Sequence, residues 1–355
     1  MMNSIYIKAG KSAYEIIKDG GFDFSHVTTC VGPAVGPRWL VVSGFDLALL
    51  ENEVLGGLKP VLLAGSSAGA WRFSAWVQPE PVESYRRLID AYISIKYDRT
   101  DTPATIQKTI CNVVNTYLED DAIPFALADK RYRLAIATAR VKYLFACEGL
   151  MQRAGFGAAF LLNAMNRSWL RGLVQRVIFY NGSRAPYFCL QDHFQGQAIL
   201  LNEANFKYVV LASGAIPMVI AGIKNIYGAP TGVYRDGGLV DYHLNQKYAA
   251  KEEEITLFFH HQERIIPGWL DKKLKYRRPS ESMLENVVMV YPSEGFVGKL
   301  PGGKIPDRDD FEIFVDDPKT RIKNWRRVVE LSAPLGEQFL ELVESKKIRH
   351  VVEKM

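Results

Sequence analysis

The 355-residue sequence lacks the marks of several protein classes. Its four cysteines, at positions 30, 111, 147 and 189, form no C-x-x-C pair, which excludes the usual thiolate metal site and dithiol redox motif. A net charge of +5 is too small for a dedicated nucleic-acid binder, so no nucleic-acid partner is expected. Lysine and glutamate interrupt the apolar residues of the first 21 positions, so no classical export signal is predicted. A cytoplasmic protein is therefore expected, and a secretion route without such a signal stays open.

Long apolar runs, repeats and linkers are also absent. The longest uncharged run near the middle of the chain covers residues 208–223 and is shorter than the roughly 20 residues that span a bilayer. Apolar residues nevertheless make up 48% of the chain, which excludes disorder and is enough for a large core. Because no change in composition marks a linker, we predict one domain over residues 1–355.

The order of the predicted elements favours the α/β class. Residues 26–31 are typical of a first strand, residues 38–54 of an apolar helix, and Val61 to Ala64 of a short buried strand that leads into a helix. This βαβα opening predicts a mainly parallel central sheet flanked by helices. The remaining predictions are helix over most of 81–130, strands at 131–141, 177–180, 186–190, 255–259 and 287–291, a strand or turn at 231–238, helices near 202–212 and 318–355, and an exposed loop at 291–310.

Residues 142–176 differ from the rest of the chain in composition. They are rich in large apolar side chains and arginine, and Glu148 is their only acid. Such a mixture suits a helix that lies among lipid head groups, so we interpret the segment as a helical insertion that caps the site and contacts an anionic membrane surface. A helix packed against its own protein has the same composition, and that alternative stays open.

One short motif carries chemistry. Gly65-Ser66-Ser67-Ala68-Gly69 is a G-x-S-x-G that follows a predicted strand and precedes a predicted helix. This is the pattern of a nucleophile elbow, a sharp turn that holds the central serine hydroxyl outward. The motif predicts Ser67 as a nucleophile, with a Gly/Ser loop that does no chemistry as the alternative.

A serine hydroxyl needs a base to take its proton. Asp236, in Asp236-Gly237-Gly238, stands at the end of a predicted strand, where burial would raise its pKa enough to make it a usable base. Asp-Gly-Gly is also common as a plain turn. A Ser-His-Asp triad is the other possibility, although only about sixty residues precede the elbow, fewer than an α/β-hydrolase has there. Its candidate histidines are His193, His243, His260 and His261.

Taken together, the early G-x-S-x-G, the ASGAIP of residues 212–217 and the DGGLVD of residues 236–241 resemble the patatin-like phospholipase family. The resemblance covers about residues 26–245. It implies a patatin-like three-layer α/β fold, Ser67 and Asp236 as a dyad without histidine, and hydrolysis of lipid esters through an acyl-enzyme without metal or cofactor. Residues 246–355 form a C-terminal extension that carries no motif of use.

The family also has a Gly-rich box whose N–H groups form the oxyanion hole, and residues 34–39 correspond to it. Only Gly36 and Arg38 match, so the resemblance implies that their main chain supplies the donors. Pro37 has no N–H to offer. A catalytically weak relative that binds lipid or a membrane surface is therefore the competing function, and an active-site-directed reagent would separate the two.

Overall fold

The computed structural model describes residues 4–190, 194, 196–243 and 246–355. Its strands are β1 Ile5–Ala9, β2 Val27–Gly32, β3 Val61–Ser66, β4 Tyr132–Val141, β5 Val174–Tyr180, β6 Gln197–Leu200, β7 Ile223–Lys224, β8 Val233–Asp236, β9 Ile255–Phe259, β10 Val287–Pro292 and β11 Val352–Lys354. Its α-helices are α1 Lys11–Lys18, α2 Ser43–Glu51, α3 Ala68–Trp76, α4 Pro81–Ile93, α5 Pro103–Tyr117, α6 Ile123–Ala128, α7 Gly149–Met165, α8 Phe206–Ser213, α9 Glu281–Leu284, α10 Glu294–Val297, α11 Asp309–Ile313, α12 Pro318–Glu344 and α13 Ile348–Val351.

The strands form one mixed sheet in the order β11-β1-β10-β9-β2-β3-β4-β5-β6; in addition, β8 pairs with β4, and β7 pairs with β8. The centre is parallel from β10 through β9, β2 and β3 to β4, whereas β1 and β5 run antiparallel to their inner neighbours. The predicted α/β fold with a mainly parallel sheet flanked by helices is therefore confirmed. The C-terminal region also contributes to this sheet, because β9 pairs directly with β2.

Alternate residues of the central strands face two different apolar layers. On one face, Cys30 and Leu63 belong to the main core, which includes residues of α2, α3, α4, α5 and α12. On the other face, Val31 and Ala64 pack in smaller clusters with residues outside the long helices, among them Phe188. The buried strands carry apolar side chains on both faces because both are covered.

The junction of three strands brings two distant parts of the sequence together. One edge of β4 pairs with β5, so β3 and β8 share the opposite edge. Strand β3 pairs as far as Ser66 with Ala137, and β8 begins its pairing at the next residue, Asp236 with Thr138. The two strands therefore meet end to end, which places residue 67 beside residue 236.

Four local predictions from the sequence are wrong. The helix predicted near 318–355 ends at Glu344, and Val352–Lys354 form strand β11, which pairs with β1. Residues 187–190 form a 3-10 turn and not a strand. The predicted helix 38–54 begins as a 3-10 helix over Gly36–Val42, and α-helical geometry starts only at Ser43. The segment 291–310 is not simply an exposed loop, because it includes α10 and buries Phe296 and Leu300. Apolar side chains spaced along a turn-rich segment were the available signal for this burial.

Residues 142–176 include helix α7 and the start of β5. Phe145, Phe156 and Leu170 are buried in a cluster separate from the main core, where they pack with residues outside the segment such as Leu239 and Leu270. Arg176 is also buried and forms a bidentate ion pair with Asp241, at 2.7 and 2.8 Å. Other side chains of the segment are exposed, as the cap interpretation requires: Tyr143, Leu144, Leu150, Met151, Arg153, Leu161, Met165, Trp169 and Arg171. None of the helices in the described part of the chain is both long and apolar enough to cross a membrane.

Candidate active site

Ser67 stands at the sharp turn between β3 and α3. Its backbone angles, φ 53° and ψ −120°, lie where a residue with a side chain is strained. The strand ends one residue before it and the helix begins one residue after it. This is the strand-turn-helix geometry of a nucleophile elbow, with the serine at its apex.

The two glycines of the elbow are required by close approach of the backbone. A Cβ on Gly65 would stand 2.7 Å from the backbone of Ala70, and a Cβ on Gly69 would stand 1.9 Å from the carbonyl oxygen of Gly32. Both distances are below any real van der Waals contact, so larger residues would push α3 away from β2 and β3. The elbow motif therefore reflects the close packing of this helix on the sheet.

The Ser67 hydroxyl donates a hydrogen bond to Asp236. Oγ of Ser67 lies 2.7 Å from Oδ2 of Asp236, and both residues are buried. The other carboxylate oxygen, Oδ1, accepts the N–H of Gly238 at 2.7 Å. The aspartate is thus held at both oxygens, one by the turn that follows it and one by the serine.

The segment Ala212 to Pro217 supports both members of this pair. Oγ of Ser213 accepts the backbone N–H of Ser67 at 2.9 Å and donates to the carbonyl of Ala137 at 2.7 Å. The backbone N–H of Asp236 donates to the carbonyl of Ala215 at 3.0 Å. The three motifs noticed in the sequence are therefore in direct contact.

Burial raises the pKa of Asp236 above that of an ordinary aspartate, and the positive charge of Arg308 and the hydrogen bond from Ser67 oppose this rise. A carboxylate whose pKa is raised is a stronger base than an exposed one. The hydroxyl that donates to Asp236 is therefore placed for proton transfer to it.

Ser67 opens into a cavity of about 650 Å³. The cavity is also lined by Gly36 and Ala68 and by apolar side chains that include Trp71, Ile95, Ile106, Ile110, Ile216 and Phe311. Both the size and the apolar lining are typical of a small-molecule site. Ser67 is part of the same lining, so a molecule bound in the cavity can contact the serine.

The predicted oxyanion donors are only partly free. Gly36 lines the cavity with φ +56°, a conformation that favours glycine. The N–H of Ala34 is used by the carbonyl of Tyr242, and Pro37 has no N–H. The guanidinium of Arg38 hydrogen-bonds Asp307. That the main chain of Arg38 supplies an oxyanion donor remains a prediction.

The residue after the nucleophile was not singled out from the sequence. Ala68 lines the cavity and is the first residue of α3, so its N–H has no partner one turn back in the helix. In a G-x-S-x-G elbow this N–H is a usual oxyanion donor. Together with Gly36, it gives the site two candidate main-chain donors.

The histidines considered for a triad lie elsewhere or outside the described residues. His193 is outside them. His243, His260 and His261 are buried together, with one ring nitrogen of each within 4.8 Å of the others. None of these three hydrogen-bonds Ser67, whose hydroxyl is directed at Asp236.

The same three rings are the group of described residues that could hold a metal ion. Nδ1 of His260 lies 2.6 Å from the carbonyl of Gln262, which leaves Nε2 free as a ligand. Nδ1 of His243, however, accepts the N–H of Ile266, so the neutral ring carries its proton on Nε2. Burial lowers the pKa of His260 to about 3, and the charges of Arg38 and Lys272 act on the cluster as well. The buried, positively charged surroundings of this cluster therefore favour three neutral imidazole rings without a bound divalent metal ion.

Two cationic residues at the site gave no signal in the sequence. Arg308 lines the cavity beside Ser67, and it also lines a small cavity beside Asp236. Lys272 lies over the ring of Tyr242, where burial and the charges of Arg308 and Arg38 lower its pKa to about 7. Both residues come from the region beyond the patatin resemblance, which is why motif reading missed them.

No family model matches the chain, and no curated protein matches it in sequence. Among solved structures, VipD from Legionella pneumophila is similar with a TM-score of 0.30 and 11% identity, over 68% of this chain and 51% of its own. Human GIVD cytosolic phospholipase A2 is similar with a TM-score of 0.33 and 12% identity, over 95% of this chain and 63% of its own. The chain thus spans about half to two thirds of the length of these structures. A conclusion about its function therefore has to rest on the geometry of the site.

Proposed function

We propose that this protein is a serine acyl hydrolase that cleaves lipid esters with a Ser67–Asp236 dyad. The observation that carries the proposal is the 2.7 Å hydrogen bond from Ser67 Oγ to the buried Asp236, at the apex of an elbow that opens into an apolar cavity. The patatin-like interpretation rests on this arrangement and on the three motifs that meet there.

The reaction follows from the position of the two side chains. Asp236 takes the proton of Ser67 while Oγ attacks the ester carbonyl, which gives a tetrahedral oxyanion. The proton then passes to the leaving alcohol, the C–O bond breaks, and the acyl group remains on Ser67. Asp236 next takes a proton from a water molecule, whose oxygen attacks the acyl-enzyme. The carboxylic acid leaves and Ser67 regains its proton.

The lipid substrate class is inferred from the cavity walls. An acyl chain buried against Ile106, Ile110 and Phe311 gains about 0.8 kcal/mol for each methylene removed from water. The cavity supports a medium or long acyl chain better than a small polar ester. We expect kcat/KM on p-nitrophenyl esters to rise with chain length until the cavity is filled.

A lipid-binding protein with weak catalysis is the second candidate, and one observation favours it. The box that should supply oxyanion donors offers fewer of them, because the N–H of Ala34 is used by Tyr242 and Pro37 has none. Covalent labelling separates the two functions, since only an activated serine reacts.

We expect a fluorophosphonate probe to label the wild-type protein at Ser67, because the dyad activates this hydroxyl. Intact-mass measurement should show one adduct, and peptide mapping should place it on residue 67. Ser67→Ala should abolish labelling. Ser66→Ala is the matched control, since this neighbouring hydroxyl borders a separate small cavity. The proposal that Ser67 is the nucleophile of a hydrolase would be contradicted by an unlabelled wild-type protein. It would also be contradicted if Ser66→Ala lost the adduct while Ser67→Ala kept it.

Peripheral membrane contact through residues 142–176 is part of the proposal. Leu150 and Leu161 are 79% and 65% exposed on α7. The same helix reaches the cavity wall, because Gln152 accepts the N–H of Met218 at 3.0 Å and Val219 lines the cavity. An exposed apolar helix beside the cavity suits delivery of a lipid from a membrane.

Leu150→Asp with Leu161→Asp is expected to weaken binding to anionic vesicles at least tenfold, since burial of each leucine contributes about 1.5–3 kcal/mol. Vesicle co-sedimentation measures this, and hydrolysis of a soluble short-chain ester should change little. Leu58→Asp is the control, because Leu58 is 85% exposed and lies outside the segment. Arg167 is unsuitable as a test of membrane charge, since its side chain is already bonded to Asp271. Equal weakening by the control would argue against a specific membrane face.

A further inference from the structure

Arg308 carries a guanidinium that is unpaired among the residues that the structure describes. Within the described residues, no carboxylate or carbonyl accepts a hydrogen bond from its side chain. This residue is half-buried and lines a cavity, so its guanidinium N–H donors can bond to a group that enters the cavity and displaces water there. The arrangement points to a partner that arrives with the substrate.

The position of this guanidinium follows from its approach to Gly36 and from the two cavities that it lines. Its Nε lies 3.0 Å from the point where a Cβ on Gly36 would stand. The residue lines the main cavity together with Ser67 and the small cavity together with Asp236. Arg308 therefore lies over the box where an oxyanion would form.

The loop that carries Arg308 is tied to the first 3-10 helix of the site. Asp307 accepts a hydrogen bond from the guanidinium of Arg38, and its Oδ1 accepts the N–H of Arg308 at 2.5 Å. Asp310, two residues after Arg308, accepts the N–H of Asp307 at 3.1 Å and the indole N–H of Trp325 at 3.0 Å. These contacts fix the backbone of Arg308, and they leave its side chain without an acceptor in the described part of the chain.

We propose that Arg308 is a catalytic residue that donates charge-assisted hydrogen bonds to the oxyanion formed at Ser67, in place of the main-chain donors that the box lacks. This inference rests on the proposed hydrolase function. The substrate carbonyl is neutral and becomes negative in the tetrahedral intermediate, so a fixed cation helps the transition state more than the ground state. Arg308 stays protonated throughout and transfers no proton.

The mouth of the cavity argues against a different role, recognition of an anionic head group. Four acids line this cavity, Asp98, Asp101, Asp309 and Glu312, and they would repel a negatively charged group. The other arginine of the lining, Arg99, is already paired with Asp316 at 2.6 Å. The guanidinium beside Gly36 is therefore better placed to stabilise the negative charge that develops on the reacting carbonyl than to bind an anionic head group.

The test uses a neutral, soluble, short-chain p-nitrophenyl ester, so that no head group is involved. Arg308→Gln is expected to lower kcat by about 10²–10³ with little change in KM, which is the effect of removing one oxyanion donor. The kcat of Arg308→Lys should lie between those of the wild type and Arg308→Gln, since lysine keeps the charge but loses the planar guanidinium. Added guanidinium should restore part of kcat to Arg308→Ala. Arg327→Gln, which removes an exposed guanidinium paired with Glu330, should leave kcat unchanged.

A second readout separates a catalytic role from a structural one. Arg308 lowers the pKa of Asp236, so Arg308→Gln should move the acidic limb of the kcat/KM profile to higher pH. The unfolding midpoint should stay near that of the wild type, because none of the described residues accepts a hydrogen bond from this side chain. An unchanged kcat and an unshifted profile would overturn the inference, as would a defect seen only with anionic lipids. If fluorophosphonate fails to label wild-type Ser67, the hydrolase itself is wrong. If labelling succeeds while Arg308→Gln retains full kcat, only the assignment of Arg308 is wrong.

Discussion

Replacing Asp236 with asparagine is expected to lower kcat by on the order of 10⁴, the upper range for loss of a general base. An amide has nearly the same shape as the carboxylate, but it cannot take the proton of Ser67. The double variant with Ser67→Ala should be no less active than the worse single variant, because a nucleophile and its base act as a unit. Steady-state kinetics on a soluble ester measures both effects.

The pH dependence gives a further check on the same carboxylate. Asp236 acts as a base only when deprotonated, so kcat/KM should fall as the pH drops through its pKa in the folded protein. Burial places this pKa above that of an ordinary aspartate, so the loss should begin at a higher pH than for an exposed carboxylate. Asp120→Asn, at an exposed site paired with Lys207, should leave rate and profile unchanged. If Asp236→Asn keeps more than a tenth of wild-type kcat, another group serves as the base.

Local patterns in the sequence predicted much of the central sheet. Strands β2, β3, β9 and β10 were found because buried parallel strands are short apolar runs with clear boundaries, and β4 was found from its alternation of apolar and polar side chains. The β3 to α3 turn was found because a strained elbow permits only small residues around the serine. These signals depend on neighbours in the chain, so one sequence is enough to find them.

The family resemblance paired Ser67 with Asp236, but the contacts between distant segments that bring them together have no local signal. The end-to-end meeting of β3 and β8 on β4 fixes the distance between Ser67 and Asp236, and no local pattern reports it. Arg308 reaches Gly36 because Asp307 is tied to Arg38, across 269 residues of sequence. Charged residues in a turn-rich segment are normally solvated, so composition argued against a role for Arg308. Only the packed structure shows these relations.

A buried ion pair behind the elbow leads to the largest stability prediction. Arg72 of α3 donates to Asp46 of α2 at 2.6 and 2.7 Å, and both side chains are buried, at 1% and 0% exposure. The hydroxyl of Tyr85 also donates to Asp46, and burial together with this carboxylate raises the pKa of the phenol. The pair links the helix that begins at the nucleophile to the helix that follows the oxyanion box.

Arg72→Met should lower the free energy of unfolding by about 3–5 kcal/mol, because it leaves the Asp46 charge buried without its ion partner. Replacing all three polar groups, with Asp46→Leu and Tyr85→Phe added, should recover most of the loss, since apolar residues of similar volume need no partner. The control is Arg86→Met, which breaks an exposed pair with Glu51 between α4 and α2 and should cost no more than about 1 kcal/mol. Urea unfolding followed by circular dichroism measures the four proteins. Equal losses for the two single variants, or a triple variant less stable than Arg72→Met, would show that burial of this pair does not decide the stability of the elbow helix.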